Sequence, residues 1–547
     1  MPATWNFADI WETIAQTVPD ALAQRHGLAS VSWRAFDQRA SGVAHGLVAA
    51  GLARQDKVAL YLHNSPEYLQ AVFGCLKASL VPVNTNYRYL EDELVWLWQN
   101  ADAAAVVFQS TFSERVGAIR QRCPGVRVWL CIDDGRCPVP SWATHWNDFA
   151  DTPPSACRWQ RSGDDLILIY TGGTTGRPRG VMWRQHDLFL ASNTTGDPDH
   201  ADLEHIRNRV RLSSGRESVT PIGLPAAPLM HGTALVFAAT VLNRAGTVVT
   251  LTEPRFDPVN LLESIGRERV TDLCFVGDAF CRPIVDALDA EPQRWSVRSL
   301  KAVSSSGMAW SAANKARLLA HAPDALLIDF LNSSEASGMG RAIASRRSAP
   351  DSARFKLGER AFVVDEALQP VAPGSGVIGR IAVRGPIPLG YYKDPGKSAD
   401  TFPIIAGERC AIPGDFATVE ADGSIRLLGR GSVSINTGGE KVYPDEVEAC
   451  VKDIPGVVDA LVVGIPDERF GERVAALLEM EPGHAQPSPQ DVSAFVAMRL
   501  ASHKVPRLVC FVETIGRGPN GKADYPAARR QILERLPIRP NAPDRSV

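Results

Sequence analysis

The sequence predicts an α/β protein with a large N-terminal domain of parallel-rich sheets and helices, followed by a small α+β C-terminal domain. Residues 1 to about 160 alternate strand and helix patterns, which is typical of parallel sheets covered on both faces. A length of 547 residues indicates two or more domains. A glycine-rich stretch at 429–444 then leads into a compact run of helices and strands. We therefore place the domains at 1–430 and 431–547.

Composition excludes several classes of function. The chain is 45% hydrophobic and 22% charged with a net charge of −3, so neither a nucleic-acid partner nor a membrane-surface partner is indicated. Its ten cysteines are scattered without a CxxC pair, which favours reduced thiols in a cytoplasmic protein over a zinc site or disulfides. The N-terminus lacks the features of a signal peptide. The uncharged run 224–242 contains prolines, and this favours a buried turn and helix over a transmembrane span.

The first elements are assigned from hydrophobic periodicity. Apolar residues spaced by three and four predict a helix over 36–52, and a helix is also predicted over 65–77. Short apolar runs predict buried strands at 57–62, 81–84 and 105–108. The residues of these elements indicate no chemistry by themselves.

A strand at 166–170 runs into a loop with an anion-binding composition. Residues 171–180 hold three threonines, four glycines, Arg177 and Arg179. Glycines let backbone N–H groups converge on an anion, and threonine hydroxyls add uncharged donors. The loop suits a polyphosphate but lacks the Walker A pattern. A flexible Gly/Thr hairpin is the alternative.

This loop resembles the phosphate loop of the adenylate-forming enzymes, which are acyl-CoA synthetases, luciferases and peptide-synthetase adenylation domains. Arg179 stands where that family usually has lysine, which keeps the charge but changes the shape. Residues 64–68 and 81–88 are also similar to the N-terminal part of acyl-CoA synthetases. The resemblance implies a distorted barrel in the large domain and a mobile small domain. It also implies ATP contacts from Thr171, Gly172, Gly173, Thr174, Thr175, Gly176 and Arg179.

His231 lies in an apolar stretch at 226–234. A lone histidine in such a run is usually a core residue. The resemblance instead implies an aromatic gate at the pocket for the substrate carboxylate. Small residues after it, Gly232, Ala234 and Ala238, would leave room for an acyl group, and the absence of charge favours an apolar acid.

Two further strands end in polar turns. The first ends near Ser306 and Gly307, whose backbone the resemblance places against the nucleotide and the acyl carboxylate. The second lies in the stretch 326–335 and delivers Asp329 and Glu335 into its turn. From the residues alone, Ser333 and Ser334 would cap a short helix, with Glu335 as a carboxylate in its first turn.

The resemblance gives the second turn a different role. Glu335 would bind the magnesium of Mg-ATP, and Ser334 would donate to the α-phosphate. The family pattern is Tyr-Gly-x-Ser/Thr-Glu, and here Leu331 and Asn332 replace its tyrosine and glycine. Leu331 would then hold the adenine through apolar contact. The implied ATP-binding set on this strand and turn is Asp329, Leu331, Asn332 and Ser333.

Asp422-Gly423 between two β-patterned runs predicts a two-residue hairpin. In such a hairpin paired residue numbers sum to 845, so Asp415 should face Arg430 at its open end. A surface ion pair worth under ~1 kcal/mol is one interpretation. The resemblance implies that Asp415 chelates the ribose diol with Arg430 beside it.

The resemblance also assigns roles beyond the boundary. Ser432 would be the hinge of the small domain, and Gly438, Gly439 and Lys441 would line the CoA thiol tunnel. The small domain is predicted to contain helices 445–452 and 488–501 and strands 457–463, 473–480 and 507–513. Lys522 lies on a Gly/Pro/Asn loop that would ordinarily be solvated surface, but it resembles the lysine that bridges carboxylate and α-phosphate.

The motifs follow the family's order over about residues 5–530, which implies an AMP-forming acid–CoA ligase of apolar acids using ATP, CoA and Mg²⁺. An enzyme that loads a carrier protein, a luciferase-like oxygenase and a degenerate non-enzymatic binding protein stay open. A peptide-synthetase unit would need a carrier domain, and the 25 residues after Lys522 are too few for one. A homodimer is left open.

Overall fold

The computed structural model describes residues 5–153, 159–171, 178–192, 202–213, 220–308, 310–348, 354–430, 435–437, 440–467, 471–500, 502–517 and 523–535. The chain divides into two compact units. The first comprises residues 1–362 and 382–413, and the second comprises residues 363–381 and 414–547.

One sheet of the first unit has eight strands and a mainly parallel centre. In spatial order its strands are Gly390–Tyr391, Arg179–Arg184, Leu166–Thr171, Val81–Asn84, Lys57–Tyr61, Ala103–Gln109, Val128–Ile132 and Thr144–His145. The pairs from Leu166–Thr171 to Thr144–His145 are parallel, and the other two are antiparallel. The predicted parallel sheet is confirmed. Its order does not follow the chain, so strands far apart in sequence become neighbours.

A second run of strands in the first unit is also parallel at its centre. In spatial order these strands are Ala29–Ser32, Leu22–His26, Thr247–Thr250, Ile222–Pro225, Asp272–Phe275, Ala302–Ser306, Leu326–Leu331, Gly340–Ala344 and Arg354–Leu357. The pairs from Leu22–His26 to Leu326–Leu331 are parallel. Two short strands, Ile404–Ile405 and Glu408–Ala411, pair with each other. No sheet of the described residues closes into a barrel.

Several helices of the first unit begin at a side-chain cap. Ser32 accepts a hydrogen bond from the N–H of Ala35, which starts the helix Trp33–Ala49 three residues before the predicted 36–52. The α-helices are Phe7–Thr17, Trp33–Ala49, Pro66–Lys77, Glu91–Asn100, Ser113–Ile119, Trp146–Ala150, Gln185–Ser192, Leu203–Ser213, Gly232–Asn243, Pro258–Glu268, Asp278–Ala290, Ala312–His321 and Pro395–Thr401.

The uncharged run 224–242 folds as expected. It comprises the end of the strand Ile222–Pro225, a turn, and most of the helix Gly232–Asn243. Among the described helices, none has the length and apolarity needed to cross a membrane.

The second unit is an α+β structure, as predicted. Its strands are Asp415–Val419, Ser424–Arg430, Ile435–Thr437, Glu440–Val442, Val457–Asp467, Gly471–Met480 and Leu508–Val512, and its helices are Pro444–Lys452, Pro489–Ala497 and Tyr525–Glu534. The strands Ala361–Val364 and Ile378–Arg384 contribute residues to both units. The helix predicted over 488–501 ends earlier, at Ala497.

The Asp422-Gly423 hairpin forms, but the predicted register is wrong near its tip. The N–H of Glu420 donates to the carbonyl of Ser424, so the tip is one residue wider than a two-residue turn. The residue numbers of the pairs nearest the tip therefore sum to 844, as in the pair Val419 and Ile425. A bulge at Leu428 then adds one residue to the second strand and restores the sum of 845 at the open end.

Candidate active site

The phosphate-loop candidate lies between two antiparallel strands. Thr171 ends the strand Leu166–Thr171 and pairs with Arg179, which begins the strand Arg179–Arg184. A Cβ added at Gly180 would lie 2.6 Å from the ring of Tyr170, so a side chain at 180 would displace that ring. Thr171 and Arg179 are thus neighbours at one edge of the sheet. The other residues with predicted ATP contacts lie outside the described residues, and their contacts stay predictions: Gly172, Gly173, Thr174, Thr175 and Gly176.

Asn84 connects this strand to the stretch that carries His231. Its side chain is 9% exposed, and its Nδ2 donates to the carbonyls of Tyr170 at 2.9 Å and Met230 at 2.6 Å. The N–H of Tyr170 donates to Asn84 Oδ1 at 2.6 Å. Sequence reasoning missed this residue. The available signal was a polar side chain at the carboxyl end of a buried parallel strand, where ligand sites of α/β sheets lie.

His231 immediately precedes the helix Gly232–Asn243 and is half-buried. A Cβ added at Gly232 would lie 3.6 Å from Ile169 Cγ2, so the helix begins beside the strand that leads into the phosphate loop. Asn64 supports the preceding turn, because its Oδ1 accepts from the N–H of Leu229 at 2.7 Å. The structure therefore brings the gate candidate next to the phosphate-loop strand.

The two polar strand ends are adjacent as well. Ser306 pairs with Phe330 in parallel register, so Gly307 and Leu331 follow at the same edge of the sheet. Gly307 has a φ of 89°, a left-handed backbone that favours glycine. These candidates for nucleotide contact lie together.

Asp329 makes a buried ion pair. Its Oδ2 lies 3.1 Å from Lys315 Nζ, with both side chains at most 6% exposed. Burial raises the pKa of Asp329 to about 6, although Lys315 acts in the opposite direction. This pair joins the strand Leu326–Leu331 to the helix Ala312–His321. An ATP contact by Asp329 stays a prediction.

The short helix expected after Ser333 and Ser334 does not form, so that prediction is wrong. Ser333 Oγ accepts from the N–H of Ala336 at 3.1 Å, and Asn332 Oδ1 accepts from the N–H of Gly338 at 2.7 Å. The bond to Ser333 is the one that a helix N-cap makes. Asn332 Oδ1, however, takes the N–H of Gly338, which a helix would have bonded to the carbonyl of Ser334. Gly338 also has a left-handed φ of 76°, so the segment closes into a tight loop. The antiparallel strand Gly340–Ala344 follows it.

This loop is attached to the phosphate-loop strand. Trp183 Nε1 donates to the carbonyl of Ser334 at 2.9 Å. Trp183 is buried in the strand Arg179–Arg184. The bond places the candidate α-phosphate donor and its neighbour Glu335 beside the strand that starts at Arg179.

Glu335 and Arg179 share a supporting segment, residues 390–394, which sequence reasoning missed. The Tyr391 hydroxyl donates to Glu335 Oε1 at 2.8 Å, and Asp394 Oδ2 accepts from Arg179 Nε at 3.0 Å. Burial and the adjacent Glu335 carboxylate raise the pKa of Tyr391, so the phenol stays a neutral donor. The sequence offered no pattern that pairs either residue with its partner.

Within the second unit, Asp415 and Arg430 face each other, as predicted. Asp415 is 7% exposed. Each follows a glycine with a left-handed φ, 102° at Gly414 and 109° at Gly429. A Cβ at Gly429 would lie 2.5 Å from a carboxylate oxygen of Asp445, so no other residue fits there without displacement.

Comparison with known proteins identifies the family. The sequence profile of the AMP-binding enzymes matches residues 11–392, and the profile of the AMP-binding enzyme C-terminal domain matches residues 446–522. The chain belongs to the AMP-binding enzyme family. The resemblance to the acyl-CoA synthetases of the adenylate-forming superfamily is therefore confirmed.

Relatives of this AMP-binding enzyme extend over nearly its whole length. A medium/long-chain-fatty-acid–CoA/3-oxocholest-4-en-26-oate–CoA ligase of Mycobacterium marinum is 38% identical and covers 98% of both chains. A 3-oxocholest-4-en-26-oate–CoA ligase of Rhodococcus rhodochrous is 36% identical and covers 96% of both chains. The crystal structure of the anthranilate CoA ligase AuaEII with anthranoyl-AMP matches with a TM-score of 0.83 at 21% identity, covering 98% of both chains, and shows the shared fold.

Several family positions lie outside the described residues, namely Ser432, Gly438, Gly439 and Lys522. Lys441 lies in the strand Glu440–Val442, opposite Asn436. The CoA contact of Lys441 stays a prediction, and so do the roles of Ser432, Gly438, Gly439 and Lys522.

Glu448 of this AMP-binding enzyme is a buried acid in the second unit that the motifs do not include. It is 7% exposed, and its Oε1 accepts from the N–H of Val462 at 2.9 Å. Burial, aided by the nearby Asp445, raises the pKa of Glu448 to about 8, while Lys452 lowers it. The acid is thus held protonated near neutral pH.

We expect Glu448 to make the second unit less stable as pH rises. Its folded pKa of about 8 lies above the ordinary 4.5. The stabilisation is therefore complete below about pH 4.5 and is lost as pH rises through about 8. Between pH 6 and 8 the loss should be about 2 kcal/mol.

Thermal unfolding of the full chain at pH 6 and pH 8 tests this expectation. Glu448→Gln should show a smaller fall in Tm than wild type over this range. Glu513→Gln is the control, because Glu513 belongs to the same unit and is exposed. Equal falls in wild type and Glu448→Gln would contradict it.

Proposed function

We propose that this protein is an AMP-forming acid–CoA ligase that converts an apolar carboxylic acid, ATP and CoA to acyl-CoA, AMP and pyrophosphate. The observation that carries this is identity of 36–38% over nearly the whole chain to ligases named for fatty acids and for 3-oxocholest-4-en-26-oate. The acid is accordingly a fatty acid or a bulky ring-bearing acid such as a steroid-derived one.

In the first half-reaction the acid's carboxylate oxygen attacks the α-phosphorus of ATP. The bond to the β-phosphate oxygen breaks, and pyrophosphate leaves with that electron pair. A carboxylate needs no general base, so catalysis consists of positioning and charge neutralisation. The loop from Thr171 to Arg179 would hold the β- and γ-phosphates, Ser334 would donate to the α-phosphate, and Lys522 would bridge it to the carboxylate.

Magnesium bound with ATP fits Glu335. Among the described residues, no cluster of three or more His, Cys, Asp or Glu side chains is placed to hold a metal ion. Magnesium is commonly bound through one or two carboxylates together with substrate phosphates. Glu335 Oε1 is engaged by Tyr391, and Oε2 accepts no hydrogen bond from the described part of the chain. The ion would neutralise charge on the phosphates.

The nucleotide would lie along the adjacent strand ends. Leu331, 9% exposed, would pack on the adenine in place of the family's tyrosine. Ser306 and Gly307 would follow the nucleotide on the neighbouring strand. Asp415 would chelate the ribose diol with Arg430 beside it. Contacts from Asp329, Asn332 and Ser333 complete the proposed ATP site.

The acid would enter beside His231. The following helix Gly232–Asn243 carries no charged residue. Ala234 and Ala238 are fully buried, so the room for an acyl group expected beside them is absent. The partly exposed Leu235, Val236 and Ala239 would form the apolar wall instead. An uncharged wall disfavours diacids and amino acids, because their second charge would lose its hydration without gaining a partner.

In the second half-reaction the CoA thiol attacks the carbonyl carbon of the acyl-AMP, and AMP leaves. We propose that residues 431–547 rotate at Ser432 between the two steps. This motion would withdraw Lys522 and bring Gly438, Gly439 and Lys441 along the thiol's path. Such a rearrangement can limit turnover.

The test is pyrophosphate release from purified protein with ATP, magnesium and a panel of fatty, aromatic and steroid-derived acids. We expect release with apolar acids and a faster rate when CoA is present. Release that CoA does not accelerate would favour an acyl-AMP ligase that loads a carrier protein. No release with any acid would favour a degenerate acyl- or nucleotide-binding protein.

The proposal also includes a cytoplasmic location, because ATP and CoA are abundant there, and it leaves a homodimer open. Fractionation of cells that express the protein tests the first. Light scattering of the purified protein determines its oligomeric state.

A further inference from the structure

Tyr391 places a buried hydroxyl against a carboxylate to which the proposed function assigns the metal. Its side chain is 7% exposed, and its ring lies 5.9 Å from that of Phe402. Its N–H donates to Ser398 Oγ at 2.8 Å. Ring and backbone are both held, so the hydroxyl is a fixed donor to Glu335. A fixed donor restricts the rotamers of the carboxylate that it binds.

The segment 390–394 is itself anchored on both sides. Gly390–Tyr391 pairs with the strand Arg179–Arg184, and Asp394 binds Arg179. On its other side, the Tyr392 hydroxyl donates to Asp102 Oδ2 at 2.8 Å, and Lys393 Nζ lies 2.7 Å from Asp102 Oδ1. The segment can therefore transmit a fixed position to Glu335.

A phenol suits this task better than a charged partner would. Lysine or arginine at position 391 would neutralise Glu335 and weaken its attraction for a divalent cation. A neutral phenol orients the carboxylate and leaves its full charge. It also occupies one oxygen, which favours binding of an ion through the other.

We propose that Tyr391 is a positioning residue for adenylation, whose hydroxyl holds Glu335 in the orientation that binds the magnesium of Mg-ATP. This inference rests on the proposed function, from which Glu335 takes its role. It predicts that the hydroxyl matters for nucleotide binding when magnesium is present and does not matter when magnesium is absent.

The test is calorimetric binding of an α,β-methylene analogue of ATP, in magnesium and in EDTA. The variant Tyr391→Phe keeps the ring and removes the hydroxyl. We expect its Kd in EDTA to match wild type and its Kd in magnesium to be about tenfold weaker, which is typical of a lost hydrogen bond to a charged group. Tyr61→Phe is the matched control, since Tyr61 is a buried tyrosine of the first unit whose hydroxyl donates to the carbonyl of Tyr87 instead, and both of its Kd values should match wild type.

Three outcomes would overturn the inference. An unchanged Kd in magnesium would show that the hydroxyl does not position Glu335. Equal weakening in magnesium and in EDTA, or loss of folding on a thermal melt, would show a structural role. In a Glu335→Gln background, Tyr391→Phe should cause no additional loss, because its effect acts through that carboxylate.

Failure of the proposed function gives a different result. Wild type would then bind the analogue no better with magnesium than with EDTA and would release no pyrophosphate with any acid. If wild type passes both tests and Tyr391→Phe binds the analogue as wild type does, the positioning role of Tyr391 is refuted and the proposed function stands.

Discussion

Lys522→Ala is expected to abolish acyl-AMP formation while leaving thioester formation from supplied acyl-AMP largely intact. The reason is that the lysine would neutralise charge that develops between carboxylate and α-phosphate, which is needed only in the first half-reaction. Loss of one such preorganised group typically costs about 10²–10³ in rate. Pyrophosphate release measures the first step, and acyl-CoA formation from synthetic acyl-AMP measures the second.

Lys504→Ala is the matched control for this experiment. Lys504 belongs to the same unit and pairs with Glu446 at 2.7 Å, so its loss should leave both half-reactions near wild type. Equal loss of both steps in Lys522→Ala would contradict the assignment and would indicate a structural lysine.

Asn84→Ala should cause the largest loss of stability among the substitutions considered. It would leave the N–H and carbonyl of Tyr170 and the carbonyl of Met230 without their partner. Buried groups that lose a partner cost roughly 1–3 kcal/mol each, and partial relaxation reduces the sum to about 3 kcal/mol. Denaturant unfolding measures this loss.

The same variant should impair adenylation beyond its effect on stability. Asn84 joins the strand before the phosphate loop to the residue before His231, so phosphate and carboxylate positions would loosen together. The KM values for ATP and for the acid should both rise. Asn86→Ala is the control, because Asn86 is half-buried and caps only a local turn at Arg88. A destabilisation below about 0.5 kcal/mol would contradict the role of Asn84.

Periodicity located several elements of the fold. The strands Lys57–Tyr61 and Val81–Asn84 and the helix Pro66–Lys77 lie where the apolar patterns predict them. Each apolar pattern reflects one face of a helix or one buried strand, so it can be recognised without knowing which element packs against it. The helix predicted after Ser333 does not form, because the sequence pattern did not show which backbone groups the side chains there would bind. Serine and asparagine side chains there bind backbone donors and close a loop.

The hairpin from Asp415 to Arg430 shows how far local rules extend. Turn residues correctly predicted the hairpin and the pair at its open end. The wider tip and the bulge at Leu428 escaped prediction, and their shifts cancel by chance at Asp415. The register of a hairpin follows from its loop length and its bulges, and the Asp-Gly pair did not show that this loop has three residues.

The sequence by itself determined the family, the order of the motifs and hence the proposed chemistry, because motif residues lie close together in the chain. Tertiary structure decided which residues support them. Tyr391 meets Glu335 across 56 positions, and Asn84 meets Tyr170 across 86. These contacts exist because strands pair in an order that differs from chain order, so the neighbours of a motif are set by the packing of the sheet.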